Sequence, residues 1–111
     1  MNSKTALITG SAKGLGRAMA IHLAKREHDI VIHYQRSEQA AIQLKQELEA
    51  LGRKVLVQQA DVTKEGDVKR MMDEVGKVFG KLDILINNVG NYIKKNILET
   101  SINEWKAMLD S

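Results

Sequence analysis

Four short apolar runs, Ala6-Leu7-Ile8, Ile30-Val31-Ile32, Val55-Leu56-Val57 and Ile84-Leu85-Ile86, begin 24, 25 and 29 residues apart, and this spacing constrains the fold of the 111-residue chain most. Each run is continuous and rich in β-branched residues, as strands are when helices cover both faces of a parallel sheet. Helical periodicity fills the intervals. Ala41, Leu44, Leu48 and Leu51 recur at heptad-like spacing. Val68, Met71, Met72, Val75, Val78 and Phe79 form an apolar stripe opposite Lys69, Arg70, Asp73, Glu74 and Lys77. Leu15, Ala18, Met19, His22 and Leu23 make the corresponding stripe ahead of the second strand. Gly52 and Gly80 stand where a left-handed residue closes a helix. Ser101-x-x-Glu104 is a capping box opening another helix, with Ile102, Trp105 and Leu109 on one face. The pattern predicts strands over 4–9, 29–34, 54–59 and 82–87, helices over 15–27, 38–51 and 64–79, a loop over 88–100 and a helix from 101. This βαβαβαβ alternation is that of a doubly wound, parallel α/β sheet.

Composition removes several function classes. The chain has no cysteine, which excludes a disulfide scaffold and fits a reducing compartment. Thr5 to Thr9 is too short for the apolar core of a secretory leader, and no window approaches the roughly 18 apolar residues that span a bilayer. A cytoplasmic protein without membrane contact is therefore expected. The basic excess is local: residues 1–36 hold six basic and two acidic side chains, the remaining 75 hold 11 and 12. With only four aromatic residues there is no interleaving of basic and stacking side chains, so no nucleic-acid partner is expected. A phosphate-bearing small molecule accounts better for a local positive bias. His22, His28 and His33 fall on a helix, a turn and a strand with no accompanying ligand pattern, and no metal site is expected.

The strongest chemical signal follows the first strand: Thr9-Gly10-Ser11-Ala12-Lys13-Gly14-Leu15-Gly16, then a helix. Glycines at 10, 14 and 16 permit a tight turn, close approach of a pyrophosphate and close packing of helix on strand, with the helix N-terminus facing the anion. A nucleotide-triphosphate P-loop would need Gly-Lys-Ser/Thr five to seven positions after Gly10, where this chain has Leu15, Gly16 and Arg17.

Thr9-Gly10-x-x-x-Gly14-x-Gly16, Asp61-Val62 at the end of the third strand and Asn87-Asn88-Val89-Gly90 at the end of the fourth resemble three successive cofactor motifs of the short-chain dehydrogenase/reductase family. The resemblance extends over essentially the whole chain; Val89 replaces the family's usual alanine. It implies a Rossmann-type fold in which Gly10, Ser11, Lys13, Gly14, Leu15 and Gly16 wrap the diphosphate and adenosine ribose. Asp61 would accept from the adenine amino group, with Val62 beside it; capping of the next helix is the alternative for Asp61, although Thr63 is better placed for that. Asn87, Asn88 and Gly90 would steady the sheet and contact the ribose, and for both asparagines a role in tying strands together stands beside ligand contact.

Enzymes that use NAD place an acidic residue at the end of the second strand to bond the ribose hydroxyls. Here that stretch reads His33-Tyr34-Gln35-Arg36-Ser37, with no carboxylate before Glu38. Arg36 can pair with the 2′-phosphate of NADP, Ser37 can donate to it, and Lys13 adds a second positive charge. NADP(H) is expected over NAD(H). The string His-Tyr-x-Arg-Ser is similar to that of pteridine reductases, and the chain as a whole to 3-oxoacyl-acyl-carrier-protein reductases.

The family's catalytic apparatus pairs a tyrosine with a lysine four residues later and an upstream serine. The residues four beyond Tyr34 and Tyr92 are Glu38 and Asn96, so no catalytic residue is assigned. Residues 1–111 thus read as the NADP(H)-binding portion of an oxidoreductase, truncated before the catalytic half. Its parent would transfer hydride between nicotinamide and a small carbonyl or alcohol and, by resemblance, form a homo-oligomer. The alternatives are a non-catalytic dinucleotide-binding or sensing domain and an inactive fragment.

Overall fold

A computed structural model of the chain describes residues 3–88. The elements run β1 (Thr5–Ile8), α1 (Gly14–Lys25), β2 (Asp29–Tyr34), α2 (Glu38–Ala50), β3 (Val55–Gln59), α3 (Glu65–Phe79) and β4 (Ile84–Ile86). All four strands are parallel, in the order β3-β2-β1-β4. This is the Rossmann-type arrangement expected, and each element falls within about two residues of its predicted bounds. The helix expected from 101 lies outside the described residues.

The two faces of the sheet bury different residues of the same strands, as a period of two requires. Ile8, Ile30, Ile32 and Tyr34 face α1 and α2, where Ala20, Ala24, Leu44 and Leu48 meet them. Leu7 and Val31 face α3, packing with Val68, Met71, Met72 and Val75. Burying each of the larger side chains is worth about 1.5–3 kcal/mol. The stripe on α3 and the Met71-Met72 pair thus sit in the core as expected.

The stripe expected on α1 does so only in part, through Met19 and Leu23. Its buried positions are Gly16, Ala20 and Ala24, whereas Leu15 is 69% exposed and Ala18 and His22 are exposed. Small residues let α1 lie close on the sheet, Met19, Ile21 and Leu23 pack on that core while partly buried, and Leu15 is turned outward. Ala18, Met19, His22 and Leu23 line, with Ile86, an open apolar cleft of about 330 Å³.

The helix ends follow one scheme with different residues. After α2, Gly52 (φ 83°) donates to the Glu49 carbonyl and Arg53 to that of Leu48, which satisfies the last turn. After α1, Glu27 donates to Ala24 and His28 to Leu23 in the same pattern, and Glu27 takes a left-handed φ of 68° despite its Cβ. Gly80 (φ 70°) closes α3, as the sequence suggests.

Candidate dinucleotide site

β1 lies between β2 and β4, and the chain reverses its direction of winding there, so the carboxyl end of β1 opens onto a crevice. The glycine turn is built at this end. Gly10 and Gly14 have φ of 63° and 58°, a region that favours glycine. Gly16 is required for a different reason. A Cβ there would collide with the Gly10 carbonyl and lie 2.6 Å from Asn88 Nδ2, so only glycine lets α1 approach the turn so closely. At Gly14 a Cβ would meet nothing within 4 Å, which leaves open space in front of the N-terminus of α1. That N-terminus has no side-chain cap and no acidic residue in its first turn, so its positive end faces outward uncompensated.

Side chains from two other strand ends pin the turn. Asn88 donates its backbone N–H to Thr9 Oγ1 (2.9 Å) and its Nδ2–H to the Gly10 carbonyl (3.2 Å). Asn88 therefore does tie strands together; Asn87 is exposed, and Gly90 lies outside the described residues. Ser11 is fully buried, donating its amide to the His33 carbonyl (3.0 Å) while its hydroxyl oxygen accepts the His33 amide (3.1 Å). The Ser11 side chain thus extends the β1–β2 ladder, and it does not line the pocket described next.

Gly10, Ala12, Lys13, Tyr34, Gln35, Arg36 and Ser37 surround a pocket of about 260 Å³. Four residues singled out from the sequence, Gly10, Lys13, Arg36 and Ser37, are thereby brought together. Among the described residues neither Lys13 nor Arg36 takes part in an ion pair. The nearest carboxylate in sequence, Glu38, accepts from the Tyr34 hydroxyl at 3.2 Å. Burial, and after it Glu38, push the Tyr34 phenol above its usual value.

Asp61 sits beyond the end of β3. Its Oδ1 accepts both the hydroxyl (2.5 Å) and the amide (2.9 Å) of Thr63. The Thr63 hydroxyl, then its amide, with Lys64 and Arg36 behind them, hold the carboxyl below the usual carboxylate range, so it stays ionised. Thr63 is not the cap of α3: the N-cap position is Lys64, with no side-chain bond, because the Thr63 hydroxyl is spent on Asp61. Val62 is buried in the α3-side core, Leu15 is exposed beside Gly14.

His33 is the residue that the sequence reading missed. Only 1% exposed, it accepts the Gly10 amide at Nδ1 (2.9 Å) and donates from Nε2 to the Ala60 carbonyl (2.8 Å), so one ring joins the ends of β1, β2 and β3. Its place on the α3-facing side of β2, two residues after Val31, was the available signal. Among the described residues no group of three or more metal-binding side chains occurs, and no helix is long and apolar enough to cross a membrane.

This geometry agrees with comparisons to known proteins. Residues 4–111 match the family model for short chain dehydrogenase. The chain is 33% identical over 109 residues to the 3-oxoacyl-[acyl-carrier-protein] reductase FabG of Staphylococcus epidermidis, covering 98% of this chain and 45% of that protein. The FabG of Staphylococcus aureus gives the same identity, with 44% of its length covered. The chain thus spans less than half of these curated relatives. Among solved structures, a short chain dehydrogenase from Burkholderia cenocepacia in complex with NADP superposes with a TM-score of 0.76 at 32% identity, over 96% of this chain and 47% of that one. Acetoin dehydrogenase from Enterobacter cloacae gives 0.74 at 32% identity, over 84% and 37%. A parallel sheet wound in both directions, a glycine turn that admits no Cβ at Gly16, and a sequence match over 108 of its residues together place the chain in the short chain dehydrogenase family.

Proposed function

We propose that the chain binds the adenosine end of NADP(H), as the cofactor-binding portion of an oxidoreductase that interconverts a small carbonyl and its alcohol. The observation that carries this reading is the pocket at the end of β2, where Lys13, Arg36 and Ser37 converge and no carboxylate is among the lining residues. A 2′-phosphate placed there meets two cations and a hydroxyl, whereas the acidic partner that NAD-specific sites offer the ribose hydroxyls is missing. The open space before Gly14 and the uncapped N-terminus of α1 suit the diphosphate. Asp61, kept ionised by Thr63, can accept from the adenine amino group, and Leu15, Asn87 and Gly90 remain candidates for ribose contacts. When bound, NADP(H) supplies the hydride donor or acceptor. This chain's residues bind and orient it; Tyr-x-x-x-Lys is not in the sequence, so the 111 residues alone are expected to turn over no substrate. The relatives named as 3-oxoacyl reductases favour a 3-oxoacyl or related small carbonyl as the substrate of the larger enzyme.

Titration of the chain with NADPH and NADH, followed by nicotinamide fluorescence, tests the cofactor assignment. NADPH is expected to bind at least about tenfold more tightly, in keeping with one charge-assisted phosphate contact, and Arg36→Glu to reverse the order. Tighter NADH binding by the unaltered chain, or an unchanged ratio in the variant, contradicts the reading.

A further inference from the structure

We infer that His33 is a positioning residue for the glycine turn, its neutral ring holding the Gly10 amide so that dinucleotide binding and protonation of His33 exclude one another. The inference rests on the dinucleotide reading above and adds a residue to it. A backbone N–H can only donate and a carbonyl can only accept, so the two contacts of the ring fix its state: Nδ1 is bare and Nε2 carries the hydrogen. A second proton would have to enter at Nδ1. It would turn that nitrogen into a donor facing the Gly10 donor, breaking the 2.9 Å bond and leaving a buried amide unpaired. Gly10 is a costly residue to release. It takes the left-handed φ of the turn, its carbonyl receives Asn88 and backs onto Gly16, and it lines the pocket with Lys13 and Arg36.

Among the described residues no acidic side chain bonds the ring. From the glycine turn the ring meets Gly10 and the neighbouring Ser11, both uncharged. From β3 it meets the Ala60 carbonyl and is in register with Gln58. On the α3 side the ionisable groups are Asp61, Lys64, Asp67 and Arg70; Asp61 is engaged by Thr63, Asp67 accepts the Asp61 amide and pairs with Arg70, and Arg70 also donates to the Gln59 carbonyl. On its own strand Tyr34 points to the opposite face, and Arg36 follows at the pocket. Burial accordingly lowers the His33 pKa, with the Ala60 bond opposing in part.

Linkage makes the coupling measurable in both directions. The His33 ring and the Gly10 amide would be followed by NMR across pH in the chain with and without NADP+, and the Kd of NADP+ measured over the same range for the chain and for His33→Asn. Asparagine keeps an acceptor near the Nδ1 position without a titrating group; comparison with it cancels the titration of the 2′-phosphate itself, which falls at about pH 6. Below the His33 pKa of the free chain, affinity of the unaltered chain is expected to drop by up to about tenfold per pH unit beyond any drop in His33→Asn. NADP+ should lower the ring pKa, and the Gly10 amide should shift with the ring. His33→Gln, whose terminal amide reaches the Nε2 position to donate to Ala60 and so places its oxygen away from the Nδ1 position, should bind about tenfold more weakly than His33→Asn at pH 8. Parallel loss of affinity in the chain and in His33→Asn, with binding intact, overturns the role of His33 and leaves the dinucleotide reading standing. Absence of binding in folded protein at pH 8 overturns the dinucleotide reading instead, and the Gly10 resonance then decides on His33 alone: a Gly10 amide indifferent to the ring's titration overturns it. If His33→Asn fails to fold, equal ring pKa values with and without NADP+ do the same.

Discussion

At the amino ends of the strands, Asp29 accepts the Lys54 amide (2.9 Å) and Asp83 the Thr5 amide (2.8 Å); at the carboxyl ends, Thr9, Ser11, His33 and Asn88 do the same work without a charge. Both ends face the same requirement, since backbone groups at strand termini lose their ladder partners and need others. The amino end meets it mainly with the carboxylates of Asp29 and Asp83, the latter backed by Lys81 at 3.3 Å, and with His28, whose Nδ1 accepts the Lys4 amide. Around the glycine turn, at the carboxyl ends of β1, β2 and β4, it is met with neutral groups, so the N-terminus of α1, Lys13 and Arg36 set the potential there, while carboxylates take the role only past β3, where Asp67 accepts the Asp61 amide and Asp61 that of Thr63. Anion binding at the glycine turn thus depends on the groups that support the turn as well as on the cations in view. A carboxylate supporting the glycine turn would satisfy the same amides and repel the ligand.

Gly16→Ala should produce the largest effect, because the added methyl group meets backbone on the Gly10 side and Asn88 on the other. A loss of about 3 kcal/mol in a urea melt is expected, with dinucleotide binding lost in whatever remains folded. A near-neutral outcome would mean that α1 can slide away from the turn, and the two ends would then differ less in rigidity than proposed.

Asp83→Asn tests the other end. The stability that Asp83 contributes follows from a carboxyl held below its ordinary value: burial works against ionisation, and the Thr5 amide, Lys81 and Lys4 outweigh it. Its contribution is complete above the unfolded-chain value of about 3.9 and is lost as pH falls through the lower folded value. The variant should cost about 1 kcal/mol at pH 7, flatten the acid limb of the stability profile and leave NADPH affinity unchanged. A change in affinity would break the separation between the ends.

The smallest effect is expected at Glu27. Its left-handed conformation closes α1 where Gly52 closes α2, and a side chain in that region costs roughly 1 kcal/mol, so Glu27→Gly should raise stability by about 0.5–1 kcal/mol in the same melt. A loss would show that the Glu27 side chain contributes a contact outweighing its backbone strain.

The strands and the glycine turn were legible because both are local patterns. Four β-branched runs give the strands, and Gly10, Gly14 and Gly16 specify a turn whatever lies around it. The face of α1 was legible only in part: Met19 and Leu23 do pack on the core, but a large apolar residue such as Leu15 outweighs Gly16, Ala20 and Ala24 in any hydrophobic periodicity, while close packing selects the small ones. The role of His33 depends on where β3 ends, because only the arrival of Ala60 gives Nε2 its acceptor. Thr63 looks like a cap until Asp61, two residues earlier, takes its hydroxyl. Lys13, Arg36 and Ser37 are 23 or more positions apart from one end of the site to the other, and their convergence follows from the β1–β2 register.

Amide-shift mapping of the isotopically labelled chain with NADP+ shows at which end of the sheet the dinucleotide sits. Perturbations are expected to gather at the carboxyl ends, over residues 10–16 and at Arg36, Ser37 and Asp61, with Thr5, Asp29, Lys54 and Asp83 unmoved. Perturbations centred on the amino ends, or none at saturating NADP+, would contradict this placement.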